Sequence, residues 1–207
     1  YDKIYKWLIE NDKYYNFCIS YKDYETYKRD GANVDKLLVC PNGAQHRDYH
    51  FTEKPLKPSW TLYLGRIEPR KRQYLYQDIY GVEFVGKYTD TTSFDRNRDC
   101  YLGQWEHEYK LQHVTDYGNM MLLSDGENGT PLVIKEALVA GLGVVVSKYA
   151  AHDLDTSLPF VTVIPDDKWE DIEYVQKKLI ENRKISVTMR KEIRQYGVDN
   201  FSWQKLV

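Results

Sequence analysis

The 207-residue sequence contains no run of about 18 apolar residues, the length at which a helix crosses a bilayer, so no membrane span is expected. It has little cysteine. Cys18, Cys40 and Cys100 lie far apart with no metal-ligand spacing, and an odd, scattered count argues against a disulfide framework. Cys18 and Cys40 sit in apolar runs and read as reduced core residues, which points to a reducing, cytoplasmic compartment. An excess of one charge is also lacking. With 29 Lys and Arg against 31 Asp and Glu the formal net charge is −2, which gives no electrostatic case for a nucleic-acid partner. The 19 tyrosines are scattered rather than interleaved with a basic stripe, so they do not read as stacking platforms for bases. No signal-peptide pattern is visible. The chain opens at Tyr1 rather than Met, and further sequence is expected upstream.

Several catalytic signatures are missing too. There is no GxSxG nucleophile elbow, no GxxxxGK[ST] phosphate loop and no GxGxxG fingerprint. The five histidines show no HExxH or clustered spacing, so no metal site is expected. His46 and His50 are four apart, but in an irregular stretch.

What is present is an alternation of short apolar runs and amphipathic segments. YYNFCIS (14–20) and KLLVC (36–40) read as strands, with a charged helix over 21–31 between them that stops at Gly31. The stretch 41–59 carries Pro-Asn-Gly and two further prolines and reads as a linker. From Trp60 onward, TLYLG (61–65), EFVG (83–86), CYLG (100–103), NMMLLS (119–124), GVVVS (143–147) and FVTVI (160–164) read as strands. Helices are expected around RQYLYQDIY and over 107–118, 131–141, 166–183 and 187–197. Strands alternating with helices predict an α/β fold with a doubly wound, Rossmann-like parallel sheet. NMMLL and GVVV lack polar alternation, so both sheet faces are expected to be covered. The expected division is 1–58, strand–helix–strand material plus linker, and 59–207, the Rossmann-like domain.

In such sheets ligands bind outside the carboxyl ends of the strands. Gly65 and Gly103 end two strands and permit close approach to the backbone. SDGENGTP (124–131) leads into a helix, with Thr130 expected as N-cap and Pro131 as first helical residue. A helix start next to glycines is a natural phosphate seat, although such loops are also ordinary connections. Glu136 lies in a helix that is otherwise apolar apart from Lys135. A buried carboxylate requires partners, and the hydroxyls of a bound sugar or ribose would serve. The alternative is that Lys135 and Glu136 form a narrow solvated edge. GRIEPRKRQ (65–73) places cations at 66, 70, 71 and 72 after a strand. Arg66, beside the strand glycine, is the functional candidate; Arg70 and Arg72 read as a solvated basic turn. Trp105 is a candidate cover for a base, or a packing aromatic.

Taken in order, these segments resemble the C-terminal, donor-binding half of GT-B glycosyltransferases of family 4, the retaining, glycogen-synthase-like group. YLGRIEPRK is similar to that family's strand–Gly–Arg–x4–Lys pattern. YLGQWEHEYKLQHVTDYGNMMLLSDGENGTPLVIKEALVAGLGVVVS resembles its long signature, which contains a Glu-x7-Glu element. VCPNGAQHRDYHF resembles its linker, and FSW its C-terminal end. The resemblance covers nearly the whole chain.

The resemblance implies that Arg66 and Lys71 hold the diphosphate of a nucleoside-diphosphate sugar. It places phosphate also on the helix start at Gly129–Val133. Pro131 has no N–H, so Leu132 and Val133 are the expected donors. It puts Glu136 on the ribose hydroxyls. The first glutamate of the pair falls on Asn128, a departure from the pattern, with the acid next door at Glu127; Asn128, or Glu127 after a one-residue shift, would face the donor sugar. The implied activity is sugar transfer to a carbohydrate or other acceptor, with retention and without metal or cofactor. Cationic side chains and a helix start would stabilise the leaving diphosphate. The acceptor-side half is expected upstream, with only its last strand–helix–strand in residues 1–40. A different class remains open, a non-catalytic nucleotide-sugar-binding module or half-enzyme subunit. An epimerase or phosphorylase of the same fold is a third reading.

Overall fold

The computed structural model describes residues 2–89, 93–127 and 129–206. Its first part is a small α/β unit. Helix α1 (Asp2–Glu10) precedes strand β1 (Asn16–Cys18), helix α2 (Tyr21–Arg29) and strand β2 (Leu37–Val39), and the two strands pair in parallel, Phe17 opposite Leu38. Ser20 caps α2 by accepting from the Asp23 N–H at 3.1 Å, and Lys28 and Arg29 oppose the negative end of the helix. Gly31, at φ +97°, ends it as expected.

The second part is a five-stranded parallel sheet. Its strands are β3 (Lys57–Leu64), β4 (Val82–Val85), β5 (Tyr117–Leu122), β6 (Gly143–Ser147) and β7 (Val161–Ile164), in the order β4-β3-β5-β6-β7. Every residue of β4, β5 and β6 is buried, so both faces are covered, as the unalternating sequences require. Helix α5 (Ile172–Thr188) packs across β3, β5, β6 and β7. Helix α4 (Leu132–Val139) packs on β5 and β6 and is backed by α6 (Arg190–Phe201); a last turn, α7 (Trp203–Leu206), follows. The C-terminal segment returns to the linker, where the Ala44 N–H donates to the Phe201 carbonyl at 2.7 Å.

Two buried polar clusters hold the layers together. Asn119 on β5 takes a bond from Thr61 on β3 and gives one to Asn182 on α5. Arg190, 2% exposed, donates to the carbonyls of Thr52, Thr115 and Tyr117 and so pins α6 to the linker and to the start of β5. Among the described residues no carboxylate is bonded to it; burial lowers its pKa to about 10.

Four local expectations change. RQYLYQDIY forms no α-helix; two 3-10 turns, Pro69–Lys71 and Gln73–Leu75, replace it. The helix expected over 107–118 ends early. Helix α3 (His107–His113) gives way to a 3-10 turn, and Gly118 lies inside β5. A Cβ at Gly118 would stand 2.2 Å from the Pro58 carbonyl oxygen, so glycine here permits close strand approach rather than stopping a helix. CYLG contributes a single bridge, Phe84 to Tyr101, at the outer edge of β4. Helix α5 starts six residues later than the sequence implied, at an Asp171 cap that accepts from the Tyr174 N–H at 3.0 Å.

Candidate functional site

With the edge segment at Tyr101 counted beside β4, the strands follow the order 3-2-1-4-5-6. The order reverses between β3 and β5, and the crevice outside their carboxyl ends is where such sheets bind ligands. Two loops meet there, 65–72 after β3 and 123–130 after β5, together with the start of α4.

The first loop is rigidly held. The buried Tyr63 hydroxyl donates to the Lys71 carbonyl. Gln73 Nε2 donates to the Arg66 carbonyl at 2.8 Å. Arg72, at φ +57°, lays its guanidinium 4.0 Å from the centroid of Trp169. Its side chain is 15% exposed, so it is not a solvated turn residue. Gly65 faces open space, where a Cβ would meet nothing within 4 Å. Gly86, at the end of β4, is required because a Cβ would fall 2.0 Å from the Gly65 oxygen. Arg66 extends outward, its side chain 64% exposed, with Glu68 at 3.8 Å.

The two loops are joined by charge. Lys71 Nζ lies 2.6 Å from Glu127 Oε1, and Arg70 Nη1 lies 3.2 Å from the same oxygen. The Lys71 and Glu127 side chains are 11% and 14% exposed. Arg70 also donates to the Asp125 carbonyl at 2.9 Å, and its own carbonyl accepts from the Asp125 N–H at 3.0 Å. Arg70 therefore joins this ion cluster, although its side chain is 45% exposed, as expected of a turn residue. Burial pushes the Glu127 carboxyl up, but the bond and charge of Lys71 and the charge of Arg70 outweigh it and hold it below the usual range. Asn128, the position of the first family glutamate, lies outside the described residues.

The start of α4 differs from expectation in its cap. Pro131 is the cap residue and no side chain bonds the first turn. Thr130 instead pairs with Asp153: its N–H donates to Asp153 Oδ2 at 3.1 Å and its Oγ1 accepts from the Asp153 N–H at 3.0 Å. Among the described residues nothing accepts from the N–H groups of Leu132 and Val133, which leaves them free for an anion. Gly129, at φ +113°, packs against Ser20 of the first unit; a Cβ there would lie 3.0 Å from the Ser20 Cβ.

Glu136 and Lys135 are both buried, so they form no solvated edge. Lys135 donates to the Asn42 carbonyl at 3.0 Å and ties α4 to the linker; burial lowers its pKa against the attraction of Asp153. Glu136 Oε1 accepts from Lys110 Nζ of α3 at 2.8 Å. Its Oε2 and the Tyr49 hydroxyl are both buried, and neither has a partner of normal hydrogen-bond geometry among the described residues. Burial, with the charge of Glu136 and a loose hydrogen-bonding approach to it, pushes the Tyr49 phenol well up, so the two groups lie side by side. Tyr49 is thus a donor already at hand for Glu136, and a ligand hydroxyl would complete the set. Gly103 takes φ +76°, and its carbonyl accepts from the Gly86 N–H at 2.9 Å. Trp105 packs edge-on against Tyr109 at 5.2 Å and lies 6.2 Å from Tyr117, the geometry of a packing aromatic.

The sequence reading missed Arg70, Tyr49, Lys110 and Asp153 as members of the site. Only Arg70, next to Lys71, carried a local signal. Among the described residues no group of three or more His, Cys, Asp or Glu is placed to hold a metal ion, and no helix is long and apolar enough to cross a membrane.

No protein-family model and no curated protein matches the sequence. Solved structures do share the fold. Anabaena HepE in complex with UDP-glucose is similar over 92% of this chain and 60% of its own, at 14% identity and TM-score 0.68. The sucrose-phosphate synthase of Thermosynechococcus elongatus is similar over 98% and 57%, at 16% identity and TM-score 0.71. A glycosyltransferase of Rickettsia africae is similar over 100% and 64%, at 12% identity and TM-score 0.68. The likeness at this identity is one of fold: an α/β architecture with a five-stranded parallel sheet, shared with glycosyltransferases. The chain spans less than two thirds of the length of each of these neighbours.

Proposed function

We propose that this chain is the donor-binding part of a GT-B glycosyltransferase of the retaining family-4 type. Residues 59–207 hold a nucleoside-diphosphate sugar, and residues 1–58 end an acceptor-side domain and link to it. The observation that carries the reading is Glu136, buried beside Tyr49 with its Oε2 short of a well-placed partner among the described residues, one turn into a helix where nothing described accepts from the Leu132 and Val133 N–H groups. A ribose hydroxyl on Glu136 and a phosphate at the helix start would satisfy both at once. Support also comes from the position at the strand-order reversal and from HepE, whose structure holds UDP-glucose. In this reading Lys71, with Arg66 and the helix start, stabilises charge on the leaving diphosphate, without a metal or other cofactor. Glu127 or Asn128 faces the donor sugar. The sugar goes to a carbohydrate or other acceptor, and the site faces the cytoplasm. Calorimetric titration with UDP, GDP, ADP and their hexose conjugates tests the reading. One nucleotide series is expected to bind, with a loss of about tenfold or more in Glu136→Ala. Absence of binding by every nucleotide would sink it.

A second reading rests on Glu127. Its carboxylate already neutralises Lys71, which suits a module that binds nucleotide sugar without transferring it. Transfer or donor hydrolysis by the protein would exclude that reading.

A further inference from the structure

The geometry points to Arg70 as a further cation beside Lys71 in the diphosphate seat, and to Glu127 as the group that holds this seat when no diphosphate is bound; we propose both, and they rest on the donor-site reading above. Two cations from one 3-10 turn converge on one oxygen, Glu127 Oε1, at 2.6 and 3.2 Å. A point where a lysine and an arginine meet a single anionic oxygen is also where a phosphate oxygen would sit. The turn cannot easily rearrange. The Tyr63 hydroxyl holds it from below, the Asp125 backbone from the side, and Arg72 is stacked on Trp169. The carboxylate is the partner that a diphosphate would replace. Gly126, at φ +68°, precedes it, and a Cβ there would meet nothing within 4 Å, so space exists beside the loop.

Arg66 stands outside this cluster, with its side chain 64% exposed and Glu68 3.8 Å away. Arg70 is the residue that the second loop clamps into place. The buried Lys71 ammonium needs a counterion in the absence of ligand, because an unpaired buried charge is costly. Glu127 supplies it. A diphosphate carries more charge than a carboxylate, and displaces Glu127 at the cost of breaking its pair with Lys71 and Arg70. Binding is therefore weaker than the seat alone would give, and removing the carboxylate charge tightens it.

The test titrates UDP and inorganic pyrophosphate into the parent protein, Glu127→Gln and Arg70→Gln. Glu127→Gln is expected to bind both ligands about tenfold more tightly and Arg70→Gln about tenfold more weakly. UDP binding to the parent with no gain in Glu127→Gln overturns the seat-holder and leaves the donor site standing. A loss in Glu127→Gln also overturns it and makes Glu127 a ligand of the donor. Tighter pyrophosphate with no UDP binding by any variant supports the seat and removes the nucleotide reading. No anion binding by any variant overturns both. If Glu127→Gln does not fold, Arg70→Gln decides: affinity equal to the parent overturns the proposal.

Discussion

The first 40 residues and the five-stranded sheet are built from the same pieces, parallel strands with helices, yet they are finished to different degrees. In the sheet, β4, β5 and β6 are buried along their whole length and a continuous core runs from Ala44 to Phe201. In the first unit the buried apolar core is Cys18, Ala32 and Leu37. The opposite face of its two strands is open. Phe17 is 67% exposed and its cross-strand neighbour Leu38 is 43% exposed, with Tyr15 and Ile19 on the same alternating stripe. A parallel sheet normally has both faces covered, and two strands alone are marginal in water. The difference teaches where the candidate site draws its rigidity. Lys71, Arg70 and α4 belong to the finished part. The loop that carries Glu127 lies between the two, with Lys22 donating to the Glu127 carbonyl at 3.5 Å and Gly129 packed on Ser20.

The largest expected effect sets the two parts against each other directly. Leu62→Ala, at a fully buried position of β3, is expected to lower the unfolding free energy by about 3 kcal/mol in denaturant titrations. Leu37→Ala, in the small cluster, is expected to leave the main transition within about 0.5 kcal/mol of the parent. Hydrogen exchange would show its effect instead, as faster exchange confined to β1 and β2. Equal losses from the two substitutions would mean that both parts unfold as one unit, and the comparison would fail.

A smaller effect probes the loop between them. Thr130→Val keeps the shape but removes the hydroxyl that accepts from the Asp153 N–H, at a cost of about 1 kcal/mol. Thermal unfolding of the pure variant measures it. An unchanged midpoint would show that this hydroxyl bond does not hold the loop, leaving the Thr130 N–H bond to Asp153 and the contact with Ser20 to do so.

Much of the finished part was legible because its signals are local. TLYLG, NMMLLS and GVVVS are short apolar runs with Gly or Ser at their ends, and each lies within an observed strand or its exit. The helix around Glu136 was readable for the same reason. What escaped was tertiary. Lys71 meets Glu127 across 56 residues, Lys110 meets Glu136 across 26, and Thr130 chooses Asp153 over its own helix. No periodicity encodes such pairings. Gly118 shows a second limit, because a glycine that ends a helix and one that admits a neighbouring strand look the same in a sequence. Of the two candidate carboxylates, Glu136 could be singled out because its neighbours along the helix are apolar. Glu127 was reached only through the family resemblance, because the cations that bury it come from another loop.

The smallest effect separates a structural ion pair from a seat-holder. The Glu127 carboxyl is held below its usual range in the folded protein. Its contribution to stability is therefore fully present above the unfolded glutamate value of about 4.3. It is lost as pH falls through the depressed folded value. Glu127→Gln removes that contribution, so the variant is expected to be less stable than the parent at neutral pH, by about 1 kcal/mol or less for a partly exposed pair. The gap should close on acidification, as unfolding midpoints measured from neutral pH downward would show. A purely structural pair predicts this loss and no change in ligand affinity. A seat-holder predicts the same loss of stability together with tighter binding of pyrophosphate, two changes of opposite sign from one substitution. A gap that persists at acid pH would place the Glu127 contribution in the shape of its side chain rather than its charge, and the cations of the first loop would then need no counterion from the second.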